Sequence, residues 1–248
     1  MPNRIHKQRS RGGFTLVEML VVVGIILILA AILVPAVYMG LGAAQDFRIS
    51  AELANLDAAM RQYKTVTHGY SYPPNFTSDA VVRSHIGQKF GRVNWTTGTV
   101  PPTNLDAAEA LVFWLQGYSG DPTDPLKPNA RKELFDFDES RLTDTDGDGH
   151  MAYHPKGGQS VPYVYFFNNG GTYGQTFTGT GTGTAHPYKR DNGTFVNDKS
   201  YQILSAGQYG NWGANSADKR FPSGQNYGPG DGDNVTNFSE GTLADEIP

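Results

Sequence analysis

The run Asp144-Thr145-Asp146-Gly147-Asp148-Gly149-His150 sets three carboxylates at alternate positions of one short segment. A calcium ion takes about six to eight oxygen ligands, and aspartates at the first, third and fifth places of a loop supply them compactly, with Gly149 giving the sharp turn. An EF-hand loop adds a bidentate Glu at its twelfth place, where this chain has Pro155, and no helical pattern flanks the segment. Asp136, Asp138 or Glu139 would then have to complete the shell. The same residues also suit a plain Asp-Gly turn, which needs no ion. His150 and His154 stand four apart but lack the Glu of a His-Glu-x-x-His zinc helix. Ser, His and Asp all occur, yet no Gly-x-Ser-x-Gly elbow frames a nucleophile, and there is no cysteine to serve as a thiolate or to form a disulfide. Nothing in these patterns points to an enzyme.

A second chemical feature lies near the amino terminus. Glu18 opens a segment that otherwise excludes charge: Met19 to Gln45 holds no charged residue, and Met19 to Tyr38 is almost wholly apolar. Twenty helical residues reach about 30 Å, the thickness of a bilayer core. A carboxylate at the edge of such a segment is costly unless a cation meets it. Just before it stands Arg11-Gly12-Gly13-Phe14, where glycines leave the backbone open to a protease at the membrane face. A cut after Gly13 would place a new amine on Phe14, within one turn of Glu18 or beside the Glu18 of a packed neighbour. A cleaved secretory signal has a shorter apolar run with a small-residue cut site after it, and a bare anchor explains neither the glycines nor the acid.

The formal charge of −4 is unevenly spread. Arg4, Lys7, Arg9 and Arg11 crowd the first thirteen residues, which contain no acid, so the remainder carries 16 basic against 24 acidic residues. The basic flank fits a cytoplasmic start for a single-pass anchor. The acidic remainder argues against nucleic acid as a partner, because phosphate binding needs clustered Lys and Arg.

The elements that must carry these groups follow from periodicity. From Asp46 to Thr67 the pattern turns amphipathic, with Leu53, Leu56, Met60 and Tyr63 in one stripe, and Gly69, Pro73 and Pro74 stop it. Residues 75–103 read as loop and short strand, and two sequon-like triplets, at Asn75 and Asn94, carry little weight. Asn104 is placed to cap a helix from Leu105 to about Gln116. Val161–Asn168 and Tyr201–Ser205 read as strands, the first buried on both faces. Between them Gly170–Thr184 is almost all Gly and Thr, a surface loop or weak hairpin. The expected fold class is α+β: a leader (1–13), a membrane or filament half-helix (14–45), an amphipathic half (46–74), and a head (75–248) with a small antiparallel sheet and long loops.

Gly13-Phe14-Thr15-Leu16-Val17-Glu18-Met19-Leu20, with its basic leader and long apolar run, resembles the cleavage and methylation segment of type IV prepilins and of type II secretion pseudopilins. The resemblance implies cleavage between Gly13 and Phe14 by a prepilin peptidase, N-methylation of Phe14, and pairing of Glu18 with a neighbouring subunit's amine. Pro35 matches a family proline, where the missing donor should loosen the helix. Tyr201-Gln-Ile-Leu-Ser-Ala-Gly207 and Asp231-Gly-Asp-Asn-Val-Thr-Asn-Phe238 look like the last strand and calcium loop of the major pseudopilins. That likeness implies Ca²⁺ held by Asp231 and Asp233 with carbonyls of Leu204 and Gly207, although Gln208 and Tyr209 stand where the family often has an acid. The implied protein is a structural subunit of a pilus-like fibre, a pseudopilin of a type II secretion system, made as an inner-membrane precursor with a periplasmic head. Its implied partners are its own copies, the assembly platform and minor pseudopilins. A surface pilin, a minor or tip subunit, and a membrane-tethered calcium-dependent binding module are the alternatives.

Overall fold

α1 spans Leu16–Val66, a 51-residue helix with Pro35 inside it. The computed structural model describes residues 13–66, 71–75, 78–157, 161–179, 181 and 183–248. The four leader cations, Gly69 and part of the Asn75 triplet lie outside those residues. The chain divides into two compact units, Met1–Ala43 and Ala44–Pro248.

In the first unit, α1 has a mean hydropathy of 3.2 over its most apolar stretch, none of it buried. Helical structure runs through Pro35. In the second unit, the expected stripe is buried and begins one turn earlier: Ile49, Leu53, Leu56, Met60 and Tyr63 are at most 2% exposed. Burying each such side chain contributes about 1.5–3 kcal/mol, which makes this half of α1 the floor of the head.

Two further helices stand on that floor. α2 (Asp79–Phe90) corrects the expectation of loop and strand over 75–103. Only Val82, His85 and Ile86 face inward, too few apolar residues to show a period, but Ser78 caps the start and Gly91 ends it in the left-handed region. α3 (Ala107–Leu115) starts two residues later than expected, because Asp106 and not Asn104 is its cap. Asp106 and Glu109 form a reciprocal capping box that satisfies three early amides.

The main sheet is three antiparallel strands in the order β5 (Val164–Phe167), β7 (Tyr201–Ser205), β9 (Val235–Thr236). Tyr165 pairs with Ile203 and Leu204 with Thr236. Alternation along β5 and β7 divides the core. Tyr163, Tyr165, Tyr201 and Ile203 join the α1 stripe, α2 and α3, while Val164, Phe166 and Leu204 meet Phe177, Tyr188, Trp212 and Leu243 from the later loops. Short pairs complete the head: β1 (Tyr118–Ser119) with β2 (Arg131–Lys132), β3 (Leu142–Thr143) with β4 (Ala152–Tyr153), and β6 (Lys189–Arg190) parallel to β8 (Arg220–Phe221).

Strands this short leave the loops to side-chain hydrogen bonds. Gln202, wholly buried on β7, accepts from the Tyr188 amide and donates to the Tyr188 and Val196 carbonyls. Two carboxylates of α1 hold the head from below. Glu52 receives Arg141, Tyr153 and Tyr163. Asp57 receives Arg61, Tyr201 and Asn237.

His85 lies 3.0 Å from the Tyr63 hydroxyl, and burial, then the charge of Lys89, pulls its imidazole down to about 3. The unfolded chain therefore binds a proton there that the fold does not, between its ordinary value of 6.5 and about 3. Stability should be fully present above pH 6.5 and fall with acid through that window. NMR of the His85 ring should show no titration between pH 7.5 and about 4.5.

Candidate functional site

The amino-terminal turn is built by a short sequence pattern, Thr15-Leu-Val-Glu18. Thr15 caps α1: its hydroxyl accepts from the Glu18 amide at 3.2 Å, and one Glu18 oxygen accepts from the Thr15 amide and hydroxyl, both at 2.8 Å. This is a capping box, and its Thr-x-x-Glu signature ahead of an apolar run was present in the sequence. The carboxylate expected to wait for an amine thus already has local donors. Both of these bonds end on one oxygen, Oε2. Phe14 precedes the cap, 79% exposed, and beyond it Leu16 to Leu41 present every large apolar side chain outward.

The carboxy-terminal loop gathers much of what the resemblance implied. Gly207, at positive φ, lies so close to Asp233 that a Cβ would sit 2.0 Å from its carbonyl oxygen, and Gly213 is packed as tightly on the Asp231 carboxylate. Asp231 is completely buried. Its Oδ1 accepts from Tyr188 and from the Lys219 ammonium at 2.7 Å; its Oδ2 accepts from the amides of Ala214 and Gly228, each at 2.8 Å. A carboxylate offers about four lone-pair positions, and all are taken. Lys219 is itself 1% exposed and donates to the Trp212 carbonyl. Burial draws its pKa down, against the pull of Asp231. Asp231, of the implied calcium set with Asp233, Leu204 and Gly207, therefore has no free lone pair for an ion. The positive charge Asp231 needs is supplied by Lys219, from the stretch between Gly207 and Asp231. No pattern in the sequence marked this lysine as inward-facing.

The central acidic loop joins β3 to β4. Asp144 turns inward on its own loop, accepting from the amides of Gly147 and Gly149 at 2.7 and 2.9 Å, and the first of these holds its carboxyl below the ordinary range. Asp138 caps the turn at Ser140 and pairs with Arg141, so it does not complete a shell. Asp146, Asp148 and Glu109 instead place one carboxylate oxygen each within 4.8 Å of one another. Glu109 was missed because it reads as a capping-box acid. It is 1% exposed. Its Oε2 takes the Asp106 amide, while its Oε1 is buried without a hydrogen-bond partner. Burial, together with Asp106, Asp148 and Asp146, pushes the Glu109 carboxyl up to about 7 despite that amide.

Residues 8–34 match the family model described as the prokaryotic N-terminal methylation motif. The chain is also 30% identical over 165 residues to the type IV major alpha-pilin of Moraxella bovis, covering 64% of this chain and 94% of that protein. No solved structure matches. The chain belongs to the type IV pilin family, a family of structural, non-enzymatic subunits.

The buried pair makes its own prediction. Lys219→Met should strand the Asp231 charge and cost about 3–5 kcal/mol. At about 2–4 °C per kcal/mol, the melting temperature should drop by roughly ten degrees. Lys219→Met combined with Asp231→Asn should recover part of the loss, as differential scanning fluorimetry would show.

Proposed function

We propose that this chain is the building block of a helical fibre, cut between Gly13 and Phe14, methylated on Phe14 and polymerised by packing the first half of α1 against its copies. One observation carries this: a helix whose large apolar side chains from Leu16 to Leu41 are all exposed, headed by a capped carboxylate. Such a surface demands lipid before assembly and neighbouring helices after it. Leaving lipid for a fibre core exchanges one apolar surrounding for another, so apolar burial gives little direction to the transfer. The charge of Glu18 supplies direction. Its Oε1 is available to a cation, and the amine exposed on Phe14 of an adjoining copy is of the right charge and size. Pairing is then satisfied at one axial offset between neighbours, which fixes the rise of the fibre.

The type II secretion assignment rests on the strand Tyr201–Ser205 and the loop at Asp231, with the assembly platform and minor pseudopilins as further partners. A surface fibre is the second reading, favoured by the likeness to the type IV major alpha-pilin of Moraxella bovis. Deleting the gene separates them: accumulation of exoproteins inside the cell supports secretion, and loss of surface fibres with secretion intact supports a pilus.

Mass spectrometry of a sheared-fibre fraction should find an amino-terminal peptide starting at N-methylated Phe14; an intact leader there contradicts the processing step. Glu18→Ala should lower fibre yield at least tenfold and leave the melting temperature of the head unchanged. Glu18→Gln keeps an acceptor for Thr15 but no charge, so an equal loss in that variant assigns the role to the charge and not to the cap.

A further inference from the structure

We propose that Glu109, Asp146 and Asp148 bind a calcium ion that clamps the β3–β4 loop to α3. Acidic residues on a loop are common and by themselves say little. The independent observation is Glu109. It projects from a helix outside the loop, is almost completely enclosed, and leaves Oε1 with no donor. A buried carboxylate oxygen without a partner loses its hydration for nothing in return, unless a cation meets it.

The geometry answers the defect seen in the sequence. Counted as an EF-hand, the loop has acids at its first, third and fifth places and Gly149 at its sixth, with φ +94°, but Pro155 at its twelfth. The twelfth-place carboxylate in such loops arrives from a helix and closes the shell. Glu109 arrives from α3, which precedes the loop, and brings an oxygen within 4.8 Å of those of Asp146 and Asp148. Asp144, bound to the Gly147 and Gly149 amides, acts as the loop's shaping acid. Glu109 and the loop residues Gly149 and His150 border a cavity of about 210 Å³, which gives water access to the Glu109 side of the cluster.

The donors are all carboxylate oxygens, a hard set that suits Ca²⁺ over thiophilic or imidazole-seeking metals, and irregular loop geometry disfavours the strict octahedron of Mg²⁺. The ion would convert three mutually repelling acids into a brace. Its place matters mechanically. Arg141, at the foot of the same hairpin, is the residue that grips Glu52 of α1. Fixing the hairpin to α3 therefore steadies the contact by which the head holds its helix.

The full chain, purified in a non-ionic detergent, tests this by calcium titration calorimetry and thermal melting in chelator and in millimolar Ca²⁺. The expected result is one ion per chain and a rise in melting temperature of roughly 5–10 °C at a hundredfold excess over Kd. E109Q retains an acceptor for the Asp106 amide, so its melting temperature in chelator should match or exceed that of the parent. E109Q, and separately D146N with D148N, should weaken calcium binding at least tenfold and remove the rise. D233N, in the carboxy-terminal loop, should leave both unchanged. The proposal is overturned by any of three results: no heat and no thermal shift at millimolar Ca²⁺, binding that survives E109Q undiminished, or binding lost on D233N instead. Neither arm depends on fibre assembly, so failure here would leave the pilin function standing.

Discussion

A carboxylate taken out of water must be met by donors, and in this head four of them set where the loops lie. The strands are two to five residues long and no cysteine is present, so ladder bonds and disulfides cannot order so long a chain. Glu52 and Asp57 fix the hairpin and the last strands to α1. Asp231 collects a tyrosine, a lysine and two amides from three stretches of chain. Each is a point at which distant loops must converge or leave a buried charge unmet, and that penalty gives the fold its uniqueness. Glu109 differs in being only half met, and its surroundings are acidic instead of basic.

The Lys219–Asp231 pair also shows how one structural need can be answered by different chemistry. A loop closing over a β-strand with buried aspartate requires positive charge beneath it. A divalent ion provides it reversibly and in proportion to its concentration. An ammonium provides it permanently, at the cost of desolvating the lysine, which the Trp212 carbonyl offsets. The long loop before Asp231 carries this cation and, through Trp212, the largest apolar side chain of the second core. Its many glycines permit the close approaches that such packing needs, as at Gly213 beside the carboxylate.

Pilin function places opposite demands on the two halves of α1. The first half must be stable in lipid and again among its own copies, so beyond Glu18 its side chains are almost all apolar and exposed. The second half must hold a soluble head, so it alternates an apolar stripe with carboxylates directed at hydrogen-bond donors. The cap at Thr15 and Glu18 satisfies the first amides of the helix, which would otherwise lie unpaired in or near lipid.

The amino-acid sequence by itself determined the family, the apolar half-helix, the amphipathic stripe, β7 and the absence of enzymatic chemistry, because each rests on local composition, fixed spacing or a period of two or four residues. It even held the Thr15–Glu18 capping box. α2 escaped because it buries only three side chains, and the start of α3 was misplaced because Asn104 and Asp106 are both good caps and only the fold selects one. What the tertiary structure alone decided is which charges meet. Lys219 reaches Asp231 across eleven intervening residues of loop, and Glu109 reaches Asp146 and Asp148 from a helix some forty residues away. Such pairings are set by how layers of the head stack, a long-range consequence of burial that no local pattern of residue types records.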